Sequence, residues 1–320
     1  MTIPFIDPRT GEVLRRADDA LVAPDGRIVA RIREGVPRFV AEADDYADNF
    51  GWQWNHWADT LSDARSGSSA KLDLLMERTR FDQYDLAGRS LLECGMGGGD
   101  DTEVLLSLPL GEVHAFDLSD AVDRANRYLH DARLVLSQAS ILDIPYADES
   151  FDVVFCHRVL QHTPDPVASL RAICRKVKPG GLLFAHAYKR SWRYRLNYKY
   201  RYRWLTTRME QRTVFELIER WGPALHGIQQ RASRRGRSVR ALAEAVVPFE
   251  RLDAYGETPG DDLLEVAKLV TFDALTPRYD RPMTAAELFG TIEAEGFRIE
   301  HRHDPKVSPL WCTAVKRRST

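Results

Sequence analysis

No stretch of this sequence approaches the run of about 18 apolar residues that a membrane-spanning helix needs. The opening Met-Thr-Ile-Pro-Phe-Ile-Asp also lacks the basic and apolar regions of a signal peptide. Cysteine is sparse. Cys94, Cys156, Cys174 and Cys312 are the four present, none in a C-x-x-C pair, a usage that fits reduced, buried thiols rather than a disulfide frame or a zinc site. A cytoplasmic location is expected by default. The nine histidines show no metal-ligand spacing, and H-E-x-x-H is absent. Asp143, Asp148, Glu149 and Asp152 lie near one another but read as turn formers, so no metal is expected. Glycine and proline are not enriched and no internal repeat occurs. A net charge of −2 gives no overall bias toward nucleic acid or membranes. What remains is a chain of 320 residues, 44% hydrophobic, able to bury one sizeable core with additions or two modest domains.

The most informative stretch is Leu91-Leu92-Glu93-Cys94-Gly95-Met96-Gly97-Gly98-Gly99-Asp100-Asp101. Apolar residues and an acid end a buried strand, and a glycine-rich turn opens an amphipathic helix. Gly95, Gly97 and Gly99 let backbone approach a ligand where a Cβ would collide. The pattern is G-x-G-x-G, because Asp100 stands where the third glycine of a dinucleotide G-x-G-x-x-G would fall. A pyrophosphate prefers a helix N-terminus free of negative charge, and Asp100 and Asp101 sit there. A cationic nucleoside without phosphate, such as S-adenosylmethionine, fits better. Asp100 can also cap the helix, with Glu103 completing a capping box.

Further strand–turn–helix units follow. Val113–Asp117 is an apolar run ending in an acid, 24 residues after Glu93 and about one strand–helix–strand unit on. A carboxylate there can accept hydrogen bonds from both ribose hydroxyls. Arg133–Ala139 and Phe151–His157 read as a third and fourth strand. A helix is expected from about Asp165 to Lys178, stopped by Pro179-Gly180-Gly181, before a fifth strand over Leu182–Tyr188. Thr284–Glu295 reads as a helix with a Thr284–Glu287 capping box, and Phe297–His301 and Leu310–Val315 as the last two strands.

In this order, the loop Glu93–Gly99, Asp117, Gln138–Tyr146, Phe151–Val154, His162-Thr163-Pro164-Asp165-Pro166 and Lys178-Pro179-Gly180-Gly181 resemble the class I S-adenosylmethionine-dependent methyltransferases. The resemblance covers about 100 residues. It implies a Rossmann-like α/β fold: a seven-stranded sheet, mostly parallel with one antiparallel strand, helices on both faces, and N-terminal and lid additions. It also implies S-adenosylmethionine as cofactor. Glu93, Gly95, Met96, Gly97 and Gly99 would surround its methionine part, Asp117 would hold the ribose, Leu118 would flank the adenine, and Ser140 and Ile141 would lie at the adenine edge. Many relatives carry an acid where this chain has Ser140.

The expected divisions are a small β-rich segment over 1–45, an aromatic helical cap over 46–88, the cofactor-binding core over 89–188, an insertion over 189–280 and a completing β-α-β unit over 281–320. Residues 1–45 resemble a degenerate zinc-ribbon module that has lost its ligands, since no cysteine precedes Cys94; a structural or oligomer-contact role is expected for them. In the cap, Tyr46, Phe50, Trp52, Trp54 and Trp57 either pack on the core or close over the cofactor, with Gln53 reaching the methionine carboxylate. From Trp192 to Trp204 apolar residues alternate with polar, mostly basic ones. Alternation suggests a strand, whereas Tyr194, Tyr198 and Tyr202 also keep helical spacing, and the resemblance places a helical lid here. That lid either packs on the core or borders the acceptor pocket, where Arg193 and Arg195 would select an anionic or saccharide-bearing acceptor. Nucleic-acid binding is the lesser reading.

Methyl transfer needs an acceptor in line with the methyl–sulfur bond, and a hydroxyl acceptor gains from a general base. His162 matches a histidine in O-methyltransferases with a similar His-x-Pro-Asp stretch. His157 and Tyr188 are further candidates, and His186 faces either the site or the core. The expected activity is therefore methyl transfer to a small-molecule or saccharide hydroxyl. N-methylation, or a non-catalytic S-adenosylmethionine-binding or assembly protein, stays open as an alternative; a nicotinamide oxidoreductase is disfavoured by Asp100 and the lack of a second dinucleotide signature.

Overall fold

The computed structural model describes residues 3–40, 51, 69–190, 198–250 and 263–318. The chain divides into two compact units, one of residues 1–45, 71–190 and 279–320, the other of residues 46–70 and 191–278.

Strands with both faces buried organise the first unit. They run β5 (Ser90–Cys94), β6 (Glu112–Asp117), β7 (Leu134–Gln138), β8 (Phe151–Cys156) and β9 (Val177–Ala187). Leu91, Val113, Val153 and Leu183 are wholly buried, as continuous apolar runs in a parallel sheet must be. Helices cover both faces. On one, Leu75 of α1 (Ala70–Thr79) and Val104 and Leu105 of α2 (Asp100–Leu106) pack with Leu91, Val153 and Phe184. On the other, Leu170 and Ile173 of α4 (Pro166–Lys176) and Leu288 and Ile292 of α9 (Ala285–Ala294) pack with Leu92, Val154 and Leu183. Val122 and Ala125 of α3 (Ala121–Tyr128) form a smaller cluster with Ala115 and Leu136.

Among the described residues the sheet has eleven strands, not seven, in the order β1-β2-β3-β4-β7-β6-β5-β8-β9-β11-β10. The four extra strands are an N-terminal antiparallel meander, β1 (Arg15–Ala17), β2 (Ala20–Val22), β3 (Ile28–Arg33) and β4 (Val36–Arg38). β4 joins β7 in parallel through Arg38 and Gln138, and Arg38 also donates to Asp123 of α3. Antiparallel pairing is accordingly not confined to one strand. It holds the meander together and also joins β11 (Leu310–Lys316) to β9 and to β10 (Phe297–Arg302).

One local expectation changes and another holds. The fourth helix ends at Lys176, and Val177–Gly181 already belongs to β9, with Val177 paired to Phe151. A Cβ at Gly181 would lie 2.8 Å from the Asp152 carbonyl oxygen, so this residue serves close backbone approach rather than a helix stop. The Thr284–Glu287 capping box is present: Glu287 N–H donates to Thr284 Oγ1 at 3.1 Å, and Thr284 N–H to Glu287 Oε2 at 2.7 Å.

In the second unit, α5 (Tyr198–Thr206), α6 (Gln211–Arg234), α7 (Arg237–Val246) and α8 (Leu263–Leu275) are described. Val214, Ile218, Phe249, Val266 and Phe272 make its core. The described part of the alternating aromatic and basic run is helical. Tyr198 donates to Glu250 at 2.9 Å and Tyr202 to the Val246 carbonyl at 3.0 Å, while buried Arg203 donates to the Ala274 and Pro277 carbonyls. Arg193 and Arg195 lie outside the described residues, as do Gln53 and the aromatic residues of the expected cap.

Candidate active site at the C-terminal edge of the sheet

The loop after β5 turns on three left-handed glycines, Gly95 (φ 78°), Gly97 (φ 55°) and Gly99 (φ 93°). Gly95 and Met96 N–H both donate to the Phe116 carbonyl, at 2.9 and 3.0 Å, tying the loop to the end of β6. A Cβ on Gly95 would stand 2.5 Å from Val159 Cγ2. Gly95→Ala should therefore cost about 1–3 kcal/mol of stability, from left-handed strain and overpacking together. A denaturation midpoint unchanged by this substitution would show that Val159 moves aside freely.

The acids at the helix entrance behave differently from the sequence expectation. Gly99 is the N-cap of α2 and no side chain caps it, so Asp100 and Glu103 form no capping box. Asp100 is buried against Arg124 of α3 at 3.4 Å, and Arg124 also donates to the Gly98 carbonyl at 2.6 Å. Asp101 is paired with His157 at 2.8 Å and Lys71 at 3.3 Å. The negative charge at the entrance is thus compensated by cations rather than left for a ligand to meet.

Asp117, at the tip of β6, is held from three directions. Gly97 N–H donates to Oδ2 at 2.9 Å, and Ser119 donates to Oδ1 through its N–H at 2.8 Å and its hydroxyl at 2.6 Å. Burial pushes its carboxyl upward, opposed by these bonds. Glu93 is buried too. It accepts the Thr102 hydroxyl at 2.7 Å, and burial, with Asp101 close by, raises its carboxyl to about 8. Leu118 follows Asp117 and is nearly buried. Ser140, in the loop after β7, accepts from Leu142 N–H at 3.2 Å, while Ile141 packs into the main core. The Met96 side chain packs among Ala115, Val122 and Leu136.

The histidines form a second group, His157 just after β8, His162 in the turn that follows and His186 near the end of β9. His157 Nε2 lies 3.2 Å from Arg78 and Nδ1 lies 2.8 Å from Asp101. Arginine only donates, so Nε2 accepts and Nδ1 carries the proton; burial lowers the pKa of the ring below that of a free histidine. Both nitrogens are engaged. His186 meets His157 edge-on at 4.8 Å, is 1% exposed, and its Nδ1 is buried without a partner. Burial and the neighbouring His157 push its pKa well down. The Tyr188 ring lies 6.2 Å from His186 and 5.8 Å from His162. His162 sits in a short 3-10 turn, Leu160–His162, with Nδ1 3.2 Å from the Tyr279 carbonyl. A carbonyl only accepts, so Nδ1 donates and the neutral ring keeps its lone pair on Nε2.

The structure thus brings the glycine loop, Glu93 and Asp117 together, and His162 with Tyr188. Arg124, Ser119, Thr102, Arg78 and Tyr279 belong to these networks without any local sequence signal. The acids considered as metal ligands serve elsewhere: Asp148 pairs with Lys176, Asp152 with Lys178 and Ser90, and Glu149 with Lys316.

Residues 92–185 match the family described as "Methyltransferase domain". This segment is a class I S-adenosylmethionine-dependent methyltransferase domain. Among curated relatives, the ubiquinone biosynthesis O-methyltransferase of Neisseria meningitidis serogroup A is 33% identical over 111 residues, 31% of this chain and 44% of that protein. The enzyme of the same name from Xanthomonas oryzae pv. oryzae is 32% identical over 152 residues, 45% of this chain and 61% of that protein. The chain spans about half the length of the curated relatives it matches. A solved S-adenosylmethionine-dependent methyltransferase from Mesorhizobium loti aligns with a TM-score of 0.45 at 15% identity, covering 78% of this chain and all of that one.

The residues of the methyltransferase domain fit the cofactor. Three left-handed glycines let the loop turn tightly beside Asp117, whose carboxylate keeps one of its roughly four acceptor positions open by this count of donors.

Proposed function

We propose that the chain transfers a methyl group from S-adenosylmethionine to a hydroxyl of a small-molecule or saccharide acceptor, with His162 taking the hydroxyl proton. When bound, the cofactor supplies a methyl group already activated on a sulfonium. The remaining work falls to the protein. Gly95, Gly97 and Gly99 let the loop backbone turn tightly beside the methionine part while their N–H groups bond to Phe116, Asp117 and Met96, and Glu93 lies beneath the loop with its carboxyl held by Thr102. Asp117 holds the ribose, Leu118 flanks the adenine, and Ser140 and Ile141 lie at its edge; Gln53 would reach the methionine carboxylate. His162, steered by the Tyr279 carbonyl, accepts the acceptor's proton at Nε2, with Tyr188 lining the same opening. His157 positions the cluster rather than moving a proton. An anionic or sugar-bearing acceptor suits the basic residues that follow β9. One observation carries this reading: the buried Asp117 carboxylate is tied to the glycine loop through Gly97 N–H at 2.9 Å, which sets the ribose anchor and the methionine loop as one rigid unit.

Titration calorimetry tests the cofactor half. S-adenosylmethionine should bind and NAD should not; the reverse result would overturn the reading. Asp117→Ala should weaken S-adenosylmethionine binding by about 1.5–3 kcal/mol, the scale of hydrogen bonds to a charged group. A folded variant of unchanged affinity removes Asp117 from the site. Labelled-methyl transfer to hydroxylated acceptors tests the other half, and label appearing only on amines would replace O- by N-methylation.

A further inference from the structure

Eight of the twelve large apolar residues exposed among the described residues fall in one stretch of the second unit, from Trp204 to Val246. They are not scattered. On α6, Leu217, Trp221 and Ile228 recur at spacings of four and seven, and on α7, Val239, Leu242 and Val246 at three and four, so each set forms one stripe along its helix. Trp221 is 52% and Leu242 65% exposed. That stretch, residues 204–246, carries eight Arg against four Glu, an excess of four positive charges in a chain whose net charge is −2. Arg231, Arg234, Arg235 and Arg237 are exposed and make no ion pair among the described residues, and Arg220 lies over the Trp221 ring at 5.5 Å.

We propose that α6 and α7 carry a docking surface for an anionic lipid bilayer. Apolar stripes, one of them carrying Trp221, beside exposed arginines suit the boundary between headgroups and acyl chains, where apolar area and electrostatic attraction add. No helix among the described residues is long and apolar enough to cross a membrane, so this surface lies on the bilayer rather than spanning it. A second copy of the chain is a poor occupant, because it would set two strongly positive faces against each other. Nucleic acid would satisfy the charge but leave Leu217, Ile228, Leu242 and Val246 in water.

Co-sedimentation of the full chain with phosphatidylcholine vesicles, with and without phosphatidylglycerol, tests this. Binding should require the anionic lipid and fall as salt is raised. Trp221→Glu and Leu242→Glu should each reduce the bound fraction about tenfold, while Val13→Glu, at an equally exposed apolar site in the first unit, should leave it unchanged; circular dichroism confirms that all three are folded. The proposal fails if the wild-type chain stays in the supernatant, if neutral vesicles bind it equally, or if the two stripe variants bind like wild type. Capture by a single-stranded oligonucleotide without vesicle binding would assign the surface to nucleic acid instead. A dimer abolished by Trp221→Glu, again without vesicle binding, would assign it to a second copy.

Discussion

His162→Ala should lower methyl-transfer turnover about 10²–10⁴-fold while S-adenosylmethionine affinity stays nearly constant. The size follows from the role. A hydroxyl oxygen attacks well only as its proton leaves, and the lone pair that receives it is on Nε2, because Nδ1 is committed to the Tyr279 carbonyl at 3.2 Å. Single-turnover measurements with labelled cofactor separate the chemical step from binding. If turnover survives within about tenfold, His162 is structural, and the proton leaves through Tyr188 or His186 or needs no base.

Between pH 5 and 8 the protein should lose stability with rising pH at about 1.4 kcal/mol per unit on account of Glu93 alone. Its carboxyl is raised in the folded chain to about 8 from an ordinary 4.5, first by burial and then by the nearby Asp101. Below 4.5 both states hold the proton and the contribution is complete. Between the two values the unfolded chain releases its proton and the folded chain does not, so ionisation favours unfolding until the folded group also titrates near 8. Glu93→Gln keeps an acceptor for the Thr102 hydroxyl and has no proton to lose. Denaturant midpoints of this variant should therefore depend less on pH across the window by about one proton. Parallel curves for the two proteins would mean that Glu93 is ionised in the fold at ordinary pH.

The core strands and the glycine loop were legible because their causes are local. A strand buried on both faces must be an unbroken apolar run, as at Leu91–Leu92 and Val153–Val154, and a left-handed turn selects glycine. The Thr284–Glu287 cap is equally local. What escaped depends on partners remote in sequence. Asp100 looked like a charge facing a ligand because Arg124, which neutralises it, comes from another helix. His157 could be read as a base until Arg78, 79 residues away, fixed its proton on Nδ1. The strand count failed for the same reason: nothing in Val36–Arg38 announces that it pairs with β7, a contact made through Arg38 and Gln138, 100 residues apart.

The N-terminal meander also decides where the sheet can be extended by another chain. Without it, β7, five residues with a half-buried apolar start at Leu134 and Val135, would offer its free N–H and C=O groups as a template for a neighbour. With it, the border on this side is β1, three residues long, two of them the exposed Arg15 and Arg16. A short, like-charged margin repels its own image and gives an incoming strand little to pair with. The segment that resembles a metal-binding module without its ligands thus serves as a selvedge, the finished margin that keeps a parallel sheet from fraying into aggregates.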